Sequence, residues 1–410
     1  MSQMKEDRGA ILRRWTNHDD DLPDEIVLDI LSKLPVKSLL RFRCVCKPWY
    51  SSIANPNFIS THLHNHNHIH HHSYVTHIPR NIPEPSSGSS RSSGQLCTLT
   101  CDRTFETISE FRVPFTFQSG FPHFVGSCNG ILCFINYNAP GSNVFYLWNP
   151  SIRKFKRLPD NQFPVMTFGI GYGSQNNDFK VVGISRTFGT SKPPPEFGVY
   201  SLNSDSWKRV ELGISLRPNF FYDNVNNYKA LPFVSGHLHW MLKCVEHVGG
   251  QERHSADMLL SFDVNSEKFE QLPLPDDEGR GCCFMKFITS FKGKLALIKF
   301  ESGAQPHSTQ CSIWVMREYG VLDSWNKLCV LSIENFNFYI SFTNDGLLLV
   351  QKGSLLVSTN GEIERKYKNV LIDPETLHEK EIGNEVDYRF DVAAYMENLV
   401  LLDGANVVSY

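Results

Sequence analysis

Histidine is the residue type whose distribution first invites a chemical reading. Sixteen histidines occur in the 410-residue chain, and eight of them lie between His62 and His77. Imidazole nitrogens bind zinc, nickel and copper, so a tract this dense is a candidate metal site. Its His-x-His alternation, however, lacks the separated ligand pairs of a structural zinc site. No cysteine or carboxylate lies inside the tract to complete a shell. A solvated linker, or an irregular helix-to-strand connection, accounts for the tract, and no metal or cofactor is assigned.

Other reactive residues lead to the same place. The 11 cysteines are scattered, mostly within apolar runs, which reads as buried free thiols in a reducing compartment, cytoplasm or nucleus. Cys282 and Cys283 are adjacent and do not form the CxxC spacing of a redox pair. His237 and His239 flank Leu238 in a strand-like stretch, so both point to one side and can line a channel or a sheet face. The acidic run Asp276-Asp277-Glu278 reads as a solvated loop rather than a hydrolytic carboxylate pair. There is no GxGxxG, no GxxxxGK[ST] and no GxSxG motif, so phosphate-loop and nucleophile-elbow chemistry find no support. No catalytic residue is expected.

Composition narrows the class further. A formal net charge of −3 argues against a general nucleic-acid binder, whose affinity leans on phosphate neutralisation. No apolar run approaches the 18 or so residues of a membrane span, and the N-terminus has no stretch apolar enough for a signal peptide.

The elements that must position any function divide into two grammars. Residues 22–58 carry dense helical signal. Asp21 or Asp24 suits a helix cap, Pro23 a first turn, and Ile26, Val27, Ile30, Leu31 and Leu34 recur at helical spacing. Pro35 ends that run, a second apolar set passes through Leu39, Phe42 and Val45, and Pro48 opens a third short helix bearing Trp49. Asn55-Pro56 reads as a stop. Three short helices bury little surface by themselves, so their apolar face must meet either the body of the chain or a partner.

The order Leu22-Pro23, the spaced Ile/Leu run, Leu34-Pro35-Val36-Lys37-Ser38-Leu39, Arg41-Phe42-Arg43-Cys44-Val45-Cys46-Lys47 and Trp49 resembles the plant form of the F-box nearly end to end. That resemblance implies docking onto the small Skp-family adaptor of a cullin-RING ubiquitin ligase. It assigns adaptor contacts to Leu22, Pro23, Ile26, Ile30, Leu34, Pro35 and Leu39, with Trp49 able to reach the same face. Phe42, Val45 and Trp49 itself fall to the motif's internal core.

From Leu96 onward helical signal gives way to short apolar stretches between Gly, Asn, Asp and Pro turns, an all-β pattern. A glycine followed by an apolar strand recurs at Gly130, Gly236, Gly293 and Gly346, with a counterpart near Asp178 and another at residues 397–402. A strand-turn-strand phrase follows in most units, the clearest being Tyr146-Leu147-Trp148-Asn149-Pro150-Ser151. Units of about 50 residues holding four strands each are propeller arithmetic. Six strands at a period of about 53 predict a six-bladed β-propeller, with residues 96–117 completing the last unit.

The phrases Leu147-Trp148-Asn149-Pro150-Ser151 and Gly171-Tyr172-Gly173 before Asp178-Phe179-Lys180-Val181-Val182 resemble the F-box-associated, kelch-like domain of plant F-box proteins. The expected organisation is a disordered lead over 1–20, the F-box helical module over 21–61, a His-rich and Ser/Pro-rich linker over 62–95, and the β domain over 96–410. The resemblance implies a non-catalytic substrate receptor. Its F-box would hold the adaptor, with cullin and RING subunits beyond it, and its β domain would hold a client protein. The alternative is a non-ligase protein- or carbohydrate-binding propeller. Aromatic anchors with arginine suit protein recognition, so Arg217, Phe220, Phe221, Tyr222 and His237 are the candidate client contacts.

Overall fold

Proline punctuation shapes the N-terminal helices. α1 (Asp24–Ser32) starts directly after Pro23, with Asp24 and Glu25 in its first turn, where negative charge opposes the positive helix end. Asp24 does not cap it: Pro23 holds the cap position with no side-chain cap bond among the described residues, and Asp21 lies outside them. α2 (Val36–Phe42) follows Pro35, and α3 (Lys47–Ile53) has Pro48 in its first turn. Pro56 does not stop the chain. It opens a fourth helix, α4 (Pro56–Ile69), while the Asn55 side-chain oxygen accepts the Asn57 N–H at 2.8 Å. α4 therefore runs through the first half of the His-rich tract.

Leu31, Val36, Leu39, Ile53, Phe58 and Leu63 are the buried apolar residues of these helices. His62 is buried with them. Its Nε2–H donates to the Leu34 carbonyl at 2.9 Å and its ring stacks on Phe58. Phe42 and Trp49 meet edge to face, with ring centres 5.5 Å apart. Val45, expected inside, is 64% exposed because it falls in the turn between α2 and α3.

In this computed structural model the described residues are 22–69, 74–80, 96–101, 105–115, 123–137, 143–161, 166–185, 195–214, 220–224, 229–248, 251–275, 283–357, 363–382, 389–404 and 406–410. The chain divides into two compact units, a helical one up to His70 and a β unit from His71.

The β unit opens with β1 (Tyr74–Arg80), β2 (Leu96–Cys101) and β3 (Thr107–Arg112). Next come β4 (His123–Cys128), β5 (Ile131–Tyr137), β6 (Asn143–Asn149) and β7 (Lys154–Arg157). A second set is β8 (Met166–Gly173), β9 (Asp178–Ser185), β10 (Phe197–Ser201) and β11 (Ser206–Arg209). A third is β12 (Phe220–Asn224), β13 (Phe233–Val234), β14 (His237–Val248), β15 (Gln251–Asp263) and β16 (Lys268–Leu272). The fourth is β17 (Cys283–Phe291), β18 (Lys294–Ser302), β19 (Ser308–Met316) and β20 (Trp325–Glu334). The fifth is β21 (Phe336–Phe342), β22 (Leu348–Val357), β23 (Ile363–Ile372) and β24 (Glu379–Ile382). β25 (Arg389–Tyr395) and β26 (Val407–Ser409) close the chain.

The six-bladed expectation is corrected by this topology. The chain repeats a sequence-contiguous blade five times, not six: β4–β7, β8–β11, β12–β16, β17–β20 and β21–β24. The sixth copy expected at 397–402 is absent, since those residues form irregular backbone and a turn. The remaining sheet, in the order β25-β1-β2-β3, is a composite of the two ends of the β unit rather than a repeat, and it takes β1 from the stretch read as linker. The innermost strands neighbour one another in the order β4, β8, β13–β14, β17, β21 and β25, and β25 returns to β4.

The recurrent glycines have a backbone cause. Asn129-Gly130, Ser235-Gly236 and Lys292-Gly293 each hold positive φ at both residues, the requirement of a tight type I′ hairpin. These turns join β4 to β5, β13 to β14 and β17 to β18. Apolar side chains then fill the space between sheets. Val182, Val199, Leu238, Trp240 and Phe262 pack in one such layer, and Ala296, Ile298, Phe300, Ile313, Leu348 and Val350 in another.

The segment after β25 is apolar but not extended. Leu399, Val400, Leu401 and Leu402 are buried, and the Asn398 side chain turns the backbone by accepting the Val400 N–H at 3.0 Å. Asn149, from the Leu-Trp-Asn-Pro-Ser phrase, donates from Nδ2 to Asn398 Oδ1 at 2.7 Å and to the Val400 carbonyl at 2.8 Å. Asn398 Nδ2 in turn donates to the Asn129 carbonyl at 2.9 Å. Trp148 Nε1 donates to the Tyr410 hydroxyl, and β26 pairs with β7. The phrase is thus the socket that receives the end of the β unit.

Candidate functional site

Two surfaces stand out, one in each unit. In the helical unit, Leu22, Ile26 and Ile30 recur every fourth residue, which places them on one face of α1 and its lead-in. They stay 59, 47 and 48% exposed, a stripe of large apolar side chains open to solvent. Pro23 and Pro35 are exposed as well, and Leu34 and Trp49 are half-buried. Leu39 is fully buried, so its side chain belongs to the helix core and not to the open face. Exposed Val45 and Tyr50 add a second apolar area, with the Arg43 guanidinium 4.1 Å above the Tyr50 ring.

In the β unit a half-open cavity of about 450 Å³ is bordered by β4, β13, β17, β21 and β25. Ser127, Phe233, Ser290 and Thr343 line it. Each stands three residues before a turn glycine, Gly130, Gly236, Gly293 and Gly346. That offset was present in the sequence and marks one wall-facing position at or beside four of the innermost strands, β4, β13, β17 and β21. Sequence reasoning used the glycines for counting blades and overlooked the residues they index.

The sequence-predicted client contacts are not brought together among the described residues. Arg217 lies outside them. Phe220, Phe221 and Tyr222 form the edge strand β12 beside β14. His237 is half-buried at the start of β14, its ring 4.8 Å from that of Tyr319 and its Nδ1–H donating to the Ser235 carbonyl at 2.7 Å.

The neighbouring His239 is fully buried. Its Nδ1–H donates to the Pro232 carbonyl at 3.2 Å, which leaves Nε2 to accept the Tyr319 hydroxyl at 2.9 Å. Burial pushes its pKa down to about 3, with a smaller contribution from His237 and against the Pro232 bond, so the ring is neutral. His239 therefore packs and orients; it is not poised to move protons near neutrality.

The buried thiols are likewise set for packing, whereas Cys44 and Cys46 are exposed. Burial raises Cys97 to about 12 and pushes Cys128, Cys133 and Cys311 up as well, so none is a ready thiolate. Cys283 is also raised, chiefly by burial, and Cys282 lies outside the described residues. Among the described residues no three His, Cys, Asp or Glu side chains gather as a metal cage, and no helix is long and apolar enough to cross a membrane.

Known proteins account for this pairing of an open helical stripe with a repeated β unit. Residues 20–61 match the F-box domain, and residues 98–402 match the F-box associated beta propeller domain. The chain belongs to the F-box associated beta propeller family. The F-box/kelch-repeat protein At3g23880 of Arabidopsis thaliana is 28% identical over 344 residues, covering 80% of this chain and 85% of the relative. The F-box protein CPR1 from the same plant is 27% identical over 340 residues, covering 77% and 75%. A solved protein of unknown function from Dyadobacter fermentans superposes over 64% of this chain and 82% of its own, with TM-score 0.38 and 11% identity, a likeness too loose to carry an argument. F-box and F-box-associated domains in one chain make the architecture of a substrate-receptor subunit, which is characteristically non-catalytic.

Proposed function

We propose that this F-box protein is the substrate-recognition subunit of a Skp-cullin-F-box ubiquitin ligase. The observation that carries the reading is the open stripe of Leu22, Ile26 and Ile30 within a matched F-box. Apolar side chains held in register on a helix favour a partner that removes them from water, at roughly 25 cal/mol per Å² covered. The adaptor contacts assigned on this reading are Leu22, Pro23, Ile26, Ile30, Leu34 and Pro35, with Trp49 at the edge. Leu39 supports the face from beneath. The β unit selects the client, and ubiquitin transfer occurs on other subunits, reached through the adaptor.

The test is co-purification of the full chain with a plant Skp-family adaptor and a cullin. The double substitution Ile26→Asp/Ile30→Asp is expected to abolish capture while leaving the circular dichroism spectrum unchanged. Undiminished adaptor binding by that variant would remove the basis for the receptor reading. Leu39→Asp is a poor probe, because a charge in the helix core unfolds the module whether or not an adaptor binds there.

A further inference from the structure

The half-open cavity bordered by the innermost strands of the β unit is rich in hydroxyls, some of which keep a proton to donate. Five hydroxyls line it, from Ser127, Thr289, Ser290, Ser341 and Thr343. Their hydrogen bonds are sorted by direction. The Tyr339 hydroxyl donates to Thr289 Oγ1 at 3.0 Å, and the Leu347 N–H donates to Thr343 Oγ1 at 3.0 Å. An oxygen already accepting from the protein keeps its own proton to give away. Ser127 and Ser341 spend their protons on the Ala394 and Phe342 carbonyls, at 3.0 and 2.9 Å.

Charge adds to the donors. Among the described lining residues Lys292 is a cation and no Asp or Glu is present, and its Nζ is drawn to Glu375, which does not line the cavity. Its counter-ion, Glu375, sits 3.0 Å from Nζ, and both side chains are substantially exposed, so water screens the pair and a competing anion can displace it. About 450 Å³ falls in the range of small-molecule sites.

We propose that this cavity binds a small oxyanion, a phosphate- or carboxylate-bearing molecule, with Lys292 supplying charge and Thr289, Ser290 and Thr343 donating hydrogen bonds. The site uses no residue of the helical stripe, so its failure and the failure of adaptor docking are separate outcomes. A ligand there would sit where four of the five contiguous blades and the composite sheet converge, and would join a client-binding surface to the presence of a small molecule.

The experiment is calorimetric titration of the full chain with inorganic phosphate and, separately, succinate, at ionic strength held constant with chloride. Saturable binding of at least one is expected, and which one identifies the ligand class. Affinity should fall about tenfold in Lys292→Met and persist in Lys292→Arg. It should rise in Glu375→Gln, where the competing carboxylate is gone. No saturable heat with either anion overturns the proposal, as does unchanged affinity in a folded Lys292→Met. If Lys292→Met does not fold, the Glu375→Gln arm decides, and unchanged affinity there overturns it equally.

Discussion

The helical unit and the β unit treat their side chains in opposite ways. The helical unit holds Leu22, Ile26, Ile30, Val45 and Tyr50 outward and keeps only a small buried set beneath them. The β unit draws polar groups inside as well and satisfies several of them with buried partners. Lys180 is 2% exposed, yet its Nζ donates to the Val264 carbonyl at 2.7 Å and meets Glu267 Oε1 at 2.9 Å. Asn149 and Asn398 are fully buried and bonded to each other. A sheet flanked by sheets removes both faces from water, whereas four short helices cannot cover one another completely. The β unit leaves large apolar residues exposed too, Ile108 and Leu377 among them, whereas Leu22, Ile26 and Ile30 stand in register on one helix and its lead-in, which on the proposed reading keeps that face for a partner.

The sharpest way to break this comparison is at the turn where the β unit closes on itself. Gly130 has φ +79°, and a Cβ there would lie 1.9 Å from the Met396 carbonyl oxygen and 2.7 Å from Asn398 Nδ2. Gly130→Ala must therefore move backbone on one side of the closure and break the buried amide pair that joins it. We expect destabilisation of more than about 4 kcal/mol, the range reserved for combined strain and lost buried hydrogen bonds. Near-ultraviolet circular dichroism should report loss of β-unit packing, with the helical unit still able to capture an adaptor. A melting profile like that of the parent would show that the closure is looser than this packing implies.

That closure also marks where sequence reading reached its limit. The type I′ glycines were legible because positive φ at two successive residues is a local demand, visible as Asn129-Gly130, Ser235-Gly236 and Lys292-Gly293. The run Leu399-Val400-Leu401-Leu402 has strand composition, and only the Asn398 side chain, bonded through space to Asn149, makes it a buried turn. Nothing local signals that, so one blade too many was counted. Pro56 failed for a related reason: a missing N–H ends one helix and suits the first turn of the next, and the histidines after it show no apolar period to choose between the two. In the F-box, spacing placed Ile26 and Ile30 on one face. It could not show that Leu39, on the seven-residue α2, turns inward. Four positions of the cavity wall, Ser127, Phe233, Ser290 and Thr343, were legible in principle, because they lie at a constant offset from glycines already in hand.

Acid separates the two units less drastically. His239 is buried and neutral, its pKa down from 6.5 to about 3. Between those values the unfolded chain binds a proton that the native β unit does not, so stability falls as pH is lowered through 6.5 and continues to fall toward 3. At pH 5 the cost from this residue is about 2 kcal/mol. Asp263 and Glu267, whose carboxyls hydrogen bonds hold low against the opposing effect of burial, add acid sensitivity at lower pH. Urea denaturation of His239→Gln should show a flatter dependence on pH between 6.5 and 5 than the parent does. Parallel slopes would mean that the ring is protonated in the native state, and that the β unit does not enforce its buried polar groups as strictly as the geometry indicates.

The smallest expected stability effect is the most telling about the helical unit. Ile30→Ser removes a large apolar side chain that is 48% exposed and borders Leu31, which is 3% exposed. If the stripe served the isolated fold, the change would cost as much as a core truncation, about 2–5 kcal/mol. A stripe reserved for a partner predicts a change within about 0.5 kcal/mol, measured by urea denaturation of the helical signal at 222 nm. The same variant should lose adaptor affinity, since what Ile30 contributes is realised only when another surface covers it. A large stability loss with unchanged adaptor binding would reverse the contrast between the units and return Ile30 to the core of its own chain.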